Sequence, residues 1–205
     1  MNLRIDPSAG GAVLTLPLDA PLEEGIGLAR QKAHWLISRL DALPPHIPFT
    51  DGAEVPVLGR PHRVRHLPGR RGVVRSEDGE LLVSGRPEHL SRRLVDWLRQ
   101  EAKRQIVPRA EAKAALIDRR VGRITVRDTR SRWGSCSANG NLSFCWRLVM
   151  TPEDVLDYVV AHEVAHLKYR SHGPRFWQTA GKLTRDMEEA RAWLLQHGET
   201  LHRYG

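Results

Sequence analysis

Residues 162–166, His-Glu-Val-Ala-His, combine residue types and a spacing that suit metal-dependent hydrolysis. Residues four positions apart on an α-helix share one face, so the imidazoles of His162 and His166 could bind a single metal ion. A zinc ion held in this way lowers the pKa of a bound water to about 7. Glu163, between the two histidines, would accept the proton of that water. The motif therefore predicts a hydrolytic metal site with Glu163 as its general base.

A third histidine, His172, follows His166 by six residues and could complete a set of three ligands with one open position. Further helix would carry His172 away along the axis, so the chain must turn after about Arg170. The stretch Ser171–Pro174 favours such a break. We therefore predict one Zn²⁺ per chain, bound by His162, His166 and His172.

The third ligand and the metal both have alternatives. The spacing equals that of the metzincin pattern HExxHxxGxxH, but Tyr169 stands where that pattern has its glycine. A carboxylate of Glu188 or Glu189 on the following helix could replace His172, although a solvated helix face explains both acids. Imidazole sites also bind cobalt, nickel or copper.

The motif is expected to lie on a buried helix. Thr151 with Pro152 and Asp154 is typical of a capped helix start. The apolar residues from Val155 to Val164 indicate that this helix belongs to the core. Ionisable groups in such surroundings are costly unless they have a partner. A buried HExxH motif therefore favours a metal site over a chance occurrence of the pattern.

The rest of the chain predicts an α+β protein, because periodicities of strands and of helices alternate along it. Predicted strands cover residues 3–6, 12–16, several short segments between 53 and 83, 123–127 and 142–149. Predicted helices cover residues 22–43, 87–106, 175–183 and 186–196, with Pro108 breaking the second before a helical stretch to about 117. Gly10-Gly11 and Asn139-Gly140 mark hairpin turns.

Composition excludes several classes of protein. Of the 205 residues, 40% are hydrophobic and 27% charged, which is ordinary for a soluble globular protein. No apolar run has the length of a membrane span, and the N-terminus lacks the apolar core of a secretion signal. These features predict a cytoplasmic protein without a membrane partner. Two cysteines, Cys136 and Cys145, are too few for a disulfide framework.

Positive charge is concentrated in the middle of the chain. Residues 51–150 hold 21 Lys and Arg against 11 Asp and Glu, and the remainder is nearly neutral. A basic region of this kind could bind nucleic acid or a nucleotide. The basic residues are mixed with acids and lack interleaved aromatics, so an arginine-rich solvated surface explains them as well.

Several ordered segments of the second half match one family in sequence. They are Arg130–Ser137, Gly140–Phe144, Trp146–Val149, Asp157–Val160, His162–Leu167 and His172–Trp177. Together they resemble the YgjP-like metallopeptidases, which are zincin-type metal-dependent hydrolases related to the SprT-like proteases. The resemblance covers roughly residues 120–200 and is looser in the N-terminal part. We therefore divide the chain into an N-terminal β/α region of unknown role, residues 1–118, and a zincin-like region, residues 119–205, whose active-site helix lies beside a β-hairpin.

The resemblance also implies roles for individual residues. His162, His166 and His172 would be the zinc ligands and Glu163 the catalytic base, in agreement with their spacing. The strand Arg132–Ser137 would border the cleft and bind an extended peptide by strand addition, through the residues Arg132, Trp133, Gly134 and Ser135. A hairpin that only holds the helix in place is an equally good interpretation of these four residues.

The leading prediction is a zinc-dependent metallopeptidase that cleaves a peptide or protein substrate with zinc-bound water activated by Glu163. One alternative is a metal-dependent hydrolase of a nucleotide or other phosphoester, because arginine matches phosphate oxygens well. A second alternative is a nucleic-acid-associated module with a mainly structural metal. The position of Glu163 beside the histidines argues against that second alternative.

Overall fold

The computed structural model describes residues 1–6, 11–41, 45–69, 72 and 74–205. Backbone contacts divide the chain into two compact units, residues 1–48 with 202–205 and residues 49–201. The predicted boundary at residues 118–119 lies inside the second unit. Helices and several small sheets follow one another along the chain, which confirms the α+β class.

The first unit contains an antiparallel hairpin and two short helices. Strands β1 (Asn2–Asp6) and β2 (Gly11–Thr15) are followed by helices α1 (Leu22–Gln31) and α2 (Ala33–Asp41). The prediction of one continuous helix here is wrong, because Lys32 has φ −94° and ψ 9° and interrupts the α-helical geometry. Two predictions fall on residues that the structure does not describe. They are Gly10 of the first predicted turn and the predicted end of the helix, at residues 42–44.

The second unit begins with a four-stranded sheet. Its strands are β3 (Glu54–Val57), β4 (Arg60–Leu67), β5 (Arg75–Glu77) and β6 (Glu80–Ser84), in the order β3-β4-β6-β5. The pairing of β4 with β6 is parallel and the other two pairings are antiparallel. Val55, Val64, Leu81 and Val83 are buried, so one face of this sheet belongs to the core. The short strands predicted between residues 53 and 83 are confirmed.

A 26-residue helix, α3 (Leu90–Ala115), follows a 3₁₀ turn at Pro87–His89. The predicted break at Pro108 is wrong, since the helix continues through that residue. An internal proline costs about 3 kcal/mol through its missing N–H and its clash with the preceding turn. Ile106 and Ala110 on either side of it are fully buried, and burial of one isoleucine side chain contributes about 1.5–3 kcal/mol. Packing of the apolar face therefore offsets the cost of the proline.

A three-stranded sheet precedes the histidine motif. Its strands are β7 (Ile124–Arg127), β8 (Gly134–Cys136) and β9 (Leu142–Cys145), in the order β7-β9-β8. The Asn139-Gly140 turn connects β8 to β9 as an antiparallel hairpin, whereas β7 pairs with β9 in parallel. The strand predicted over 142–149 ends at Cys145, because Trp146–Met150 is a 3₁₀ helix. All five residues of that helix are buried and all but Arg147 are apolar, and a short buried run of this kind does not reveal its type by periodicity.

Three helices complete the second unit: α4 (Glu153–Ala165), α5 (Pro174–Leu183) and α6 (Met187–His197). A last 3₁₀ helix spans Gly198–Arg203. Helix α4 is the central element, and it contacts α3, α5, α6 and β8. The predicted helix beside a β-hairpin is therefore confirmed. The predicted capping role of Thr151 is wrong, since its hydroxyl donates to the carbonyl of Leu148, 2.8 Å away, and caps no helix N–H.

No helix in the described part of the chain combines the length and the apolar composition that crossing a membrane requires.

Candidate metal centre

The imidazoles of His162, His166 and His172 converge beside the end of α4. One ring nitrogen of each lies within 4.8 Å of the other two, and Nε2 of His162 is 3.0 Å from Nε2 of His172. Two nitrogen ligands of a tetrahedral zinc ion would lie about 3.3 Å apart. The three imidazoles therefore fit a zinc ion in both chemistry and spacing. Among the described residues, neither Glu188 nor Glu189 belongs to this group.

The chain reverses direction between the second and the third histidine. Helix α4 ends at Ala165, so His166 occupies the end of the helix, and the amide of Tyr169 donates to the Ala165 carbonyl over 3.0 Å. Helix α5 then begins at Pro174, directly after the segment that carries His172. The sequence predicted a turn after about Arg170. In the structure the turn starts earlier, at His166.

The orientation of the His166 ring is fixed by that turn. Its Nδ1 lies 2.9 Å from the carbonyl oxygen of Tyr169, to which a protonated Nδ1 would donate. Such a hydrogen bond leaves the lone pair on Nε2, as in metal sites where the second ring nitrogen of a histidine bonds a carbonyl. Tyr169 has no left-handed backbone conformation. The turn is thus built without the glycine of the metzincin pattern.

Burial favours the neutral form of His162 and His166. Burial, aided by the neighbouring His166 and His172, lowers the pKa of His162 to about 4. Burial also lowers the pKa of His166, although the hydrogen bond to Tyr169 opposes this shift. A neutral imidazole is the form that binds a metal. Among the described residues no hydrogen-bond partner reaches Nδ1 of His162, so ring packing must set the orientation of this side chain.

Two aromatic residues at the start of α5 support the cluster. The Phe176 ring is fully buried, and its centroid lies 4.5–4.9 Å from those of the three imidazoles. Trp177 stacks on His172 at 5.5 Å with an interplanar angle of 29°. These contacts fix the imidazoles and shield one side of the cluster from water. The sequence favours a core or cleft-wall position for Trp177 and indicates no role for Phe176, although both follow the His172-Gly-Pro segment closely.

Glu163 lies on the side of α4 that faces β8. Only 6% of the residue is exposed, and burial raises the pKa of its carboxyl to about 7, although the nearby Arg132 guanidinium lowers it. A carboxyl group that titrates near neutral pH can both accept and return a proton. This environment suits the role of general base predicted for Glu163.

Strand β8 approaches Glu163 closely because it carries a glycine at the point of contact. A Cβ atom on Gly134 would lie 2.5 Å from Cγ and 2.6 Å from Oε1 of Glu163. Carbon atoms at optimal separation are about 3.5–4.0 Å apart. Any side chain at position 134 must therefore displace either the strand or the glutamate.

The four residues predicted to bind substrate fall into two groups. Arg132, Gly134 and Ser135 line a cleft of about 370 Å³ together with Glu163 and the three histidines. Trp133 is not among the residues that line this cleft. A Cβ atom on Gly198 would lie 3.1 Å from the Trp133 ring, so the indole packs against the start of the last 3₁₀ helix.

Arg170 connects the two sides of the cleft and was not predicted as a site residue. Its Nη1 donates to the Ser137 carbonyl and its Nη2 to the Ala138 carbonyl, each over 2.6 Å. Charged donors make the stronger hydrogen bonds in proteins. Arg170 therefore ties the chain between His166 and His172 to the β8–β9 turn. No local sequence pattern indicates this contact, because the partners are more than 30 residues apart.

We expect Gly134→Ala to lower hydrolytic activity at this site by about 10- to 100-fold without loss of metal binding. The added methyl group must push the Glu163 carboxylate or β8, and displacement of a catalytic group by about 1 Å can cost roughly 100-fold. Overpacking should also lower the free energy of unfolding by about 1–3 kcal/mol. Steady-state kinetics, metal analysis and urea denaturation measure the three quantities.

Gly181→Ala is the matched control. Gly181 lies in α5, and a Cβ atom there would meet nothing within 4 Å. This change should leave activity intact and leave stability unchanged or raised by up to about 1 kcal/mol. Equal activity of the Gly134 and Gly181 variants would show that the contact with Glu163 does not matter for catalysis.

Comparison with known proteins gives one match. A family model described as YgjP-like, metallopeptidase domain, matches residues 1–197. No curated protein and no solved structure gives a significant match. The family model includes the N-terminal unit as well as the histidine cluster. Because this match covers nearly the whole of the 205 residues, the chain belongs to the YgjP-like metallopeptidase family.

Proposed function

We propose that the protein is a zinc-dependent metallopeptidase in which His162, His166 and His172 hold the metal and Glu163 is the general base. One observation carries the proposal: three imidazole nitrogens lie within 4.8 Å of one another beside a buried glutamate. Membership of a metallopeptidase family supports a metal-dependent peptidase in general terms. The choice of zinc rests on the set of three histidines with one open position, which is typical of catalytic zinc sites.

A zinc ion held at this site would supply Lewis acidity, which polarises a peptide carbonyl and makes water more acidic. The protein supplies the proton transfer. Oε1 of Glu163 accepts a proton from the attacking water, and the same carboxyl group then donates it to the leaving amine. The pKa of about 7 makes both transfers accessible near neutral pH. Phe176 and Trp177 hold the imidazoles in place while this occurs.

Strand β8 provides the surface on which a peptide would lie. Within the described part of the chain it is an edge strand, paired with β9 and with no other strand. Its second backbone edge can therefore pair with an extended peptide. Arg132 and Ser135 would contact the peptide from the wall of the cleft, and Gly134 would leave room for its backbone near Glu163. Trp133 would support the strand from behind.

Removal and return of the metal test the proposal. We expect the protein to hold about one zinc ion per chain, to lose hydrolysis of casein or fluorogenic peptides after chelation, and to recover it with one equivalent of zinc. Magnesium and calcium, which prefer oxygen ligands, should not restore activity. Metal content and product release are measured on the same samples.

Three results would contradict the proposal. A chain that takes up no zinc, or whose hydrolysis survives chelation, has no catalytic metal at this site. Metal-dependent phosphate release from nucleotides without peptide cleavage would support the phosphoester alternative. DNA affinity that falls steeply with salt and is unchanged in Glu163→Gln, in a chain that cleaves nothing, would support the structural-metal alternative.

A further inference from the structure

A larger cleft adjoins the candidate metal centre. It has a volume of about 770 Å³ and lies on the face of the β7-β9-β8 sheet that carries Thr125, Ser143 and Ser135. The opposite face of the sheet carries the buried Leu142 and Phe144. The cleft shares Arg132, Gly134, Ser135 and Cys136 with the smaller cleft at the histidines. A ligand in the large cleft therefore borders the same strand as a ligand at the candidate metal centre.

Three arginines give this cleft a positive charge. Arg123, Arg127 and Arg132 line it, and no acidic residue does. All three are exposed, and within the described ranges none forms a salt bridge. The only acid between residues 123 and 143 is Asp128. Its carboxylate is paired with Arg147 and lies 3.9 Å from Arg99, so it does not neutralise the cleft.

The remaining lining suits a peptide better than a nucleic acid. Apart from the arginines it consists of hydroxyl, thiol, amide, glycine and leucine residues. Binding of single-stranded nucleic acid usually relies on aromatic rings that stack with the bases, and the described lining contains none. Hydroxyl groups and a free strand edge, in contrast, match the backbone of an extended peptide.

We propose that this arginine cleft binds acidic side chains of the substrate, so that the enzyme prefers acidic peptides. The inference rests on the proposed peptidase function and adds the class of substrate. Strand β7 lies two strands from β8, or about 10 Å, and an extended peptide advances about 3.3 Å per residue. A peptide that leaves the edge of β8 and crosses the face of the sheet covers this distance in about three residues, so the selected acidic residues lie about two to four positions from the bond that is cleaved.

Two fluorescent peptides test the inference. One carries glutamates two to four positions from the cleaved bond, and the other carries glutamines at the same positions. The dissociation constant is measured with metal-free protein, and kcat/KM with the zinc-loaded protein. An exposed ion pair changes affinity by about 1.5- to 5-fold, so we expect a preference of roughly tenfold for the acidic peptide. This preference should become smaller in 1 M salt, because the Debye length is then only about 3 Å and the charges are screened from each other.

The decisive variant is Arg123→Gln/Arg127→Gln, which removes two cleft charges but neither Arg132 nor a proposed catalytic residue. We expect it to lose most of the preference for the acidic peptide. Arg86→Gln/Arg92→Gln is the control with the same change in net charge, because both arginines are exposed and each pairs with an acid outside the cleft. Thermal unfolding shows whether both double variants are folded.

The outcomes separate this inference from the proposed function. Equal binding of the two peptides, or an equal loss of preference in both double variants, would overturn the inference. Displacement of the acidic peptide by a single-stranded oligonucleotide that binds more tightly to the same arginines would also overturn it. A preference in binding without cleavage of either peptide would overturn the peptidase function and leave the acidic cleft ligand standing.

Discussion

Glu163→Gln is expected to lower kcat/KM for peptide hydrolysis by about 10²- to 10⁴-fold while the protein keeps its metal. Glutamine has nearly the same shape as glutamate but cannot accept the proton of the attacking water. The carboxyl group is buried against Gly134 and titrates near pH 7, so no solvent-exposed base takes its place easily. Steady-state kinetics and metal content per chain measure the two effects together.

Glu189→Gln provides the control for this substitution. Glu189 is an exposed residue of α6 outside the histidine cluster, and we expect its replacement to leave both activity and metal content unchanged. Loss of metal in Glu163→Gln would make Glu163 a ligand and not a base. Full activity of Glu163→Gln would show that Glu163 takes no part in the mechanism.

Glu163→Gln should also change how the stability of the metal-free protein depends on pH. Burial raises the pKa of Glu163 from the usual 4.5 to about 7. Between these two pH values the folded protein therefore keeps a proton on Glu163 that the unfolded chain has already released. The stability associated with this proton is fully present below about pH 4.5 and is lost as pH rises through about 7. Ionisation of the buried group therefore costs roughly 3 kcal/mol. In urea denaturation, Glu163→Gln should gain that amount over wild type between pH 5 and pH 8, and parallel curves would contradict the burial argument.

Helix geometry explains why the centre of the site could be predicted from the sequence. The spacing of His162 and His166 places both rings on one side of a helix whatever surrounds them. The return of His172 needed only a break in the helix, which the sequence predicted, although α4 ends at Ala165, before the stretch Ser171–Pro174 to which the break was assigned. These are local properties, and the structure brings the three side chains together as predicted. Their roles as ligands remain predictions.

Contacts between distant segments could not be predicted in the same way. The approach of Gly134 to Glu163 and the hydrogen bonds of Arg170 depend on how the hairpin docks on α4. The parallel pairing of β7 with β9 likewise depends on tertiary structure, whereas the Asn139-Gly140 turn correctly indicates the β8–β9 hairpin. Helix α3 shows that local sequence is also insufficient for helices. Pro108 predicts a break, but burial of Ile106 and Ala110 offsets its cost and the helix continues.

His172→Ala is expected to weaken zinc binding by more than about 100-fold and to abolish hydrolysis at stoichiometric zinc. Loss of an outer-shell partner already costs about 10- to 100-fold in metal affinity, and loss of a ligand should cost more. His172 is exposed and lies after the end of α4, so its replacement removes an imidazole from the cluster without opening a cavity in the core. Competition with a chromogenic chelator measures the affinity.

His34→Ala is the control for His172→Ala, since His34 is an exposed histidine of α2 and its loss should not affect zinc binding. If the zinc affinity of His172→Ala were unchanged, the third metal ligand would be another group. The variants Glu188→Gln and Glu189→Gln would then show whether a carboxylate of α6 provides it. The 3.0 Å separation of the His162 and His172 nitrogens favours the histidine, because a tetrahedral ion holds its ligands at about that distance.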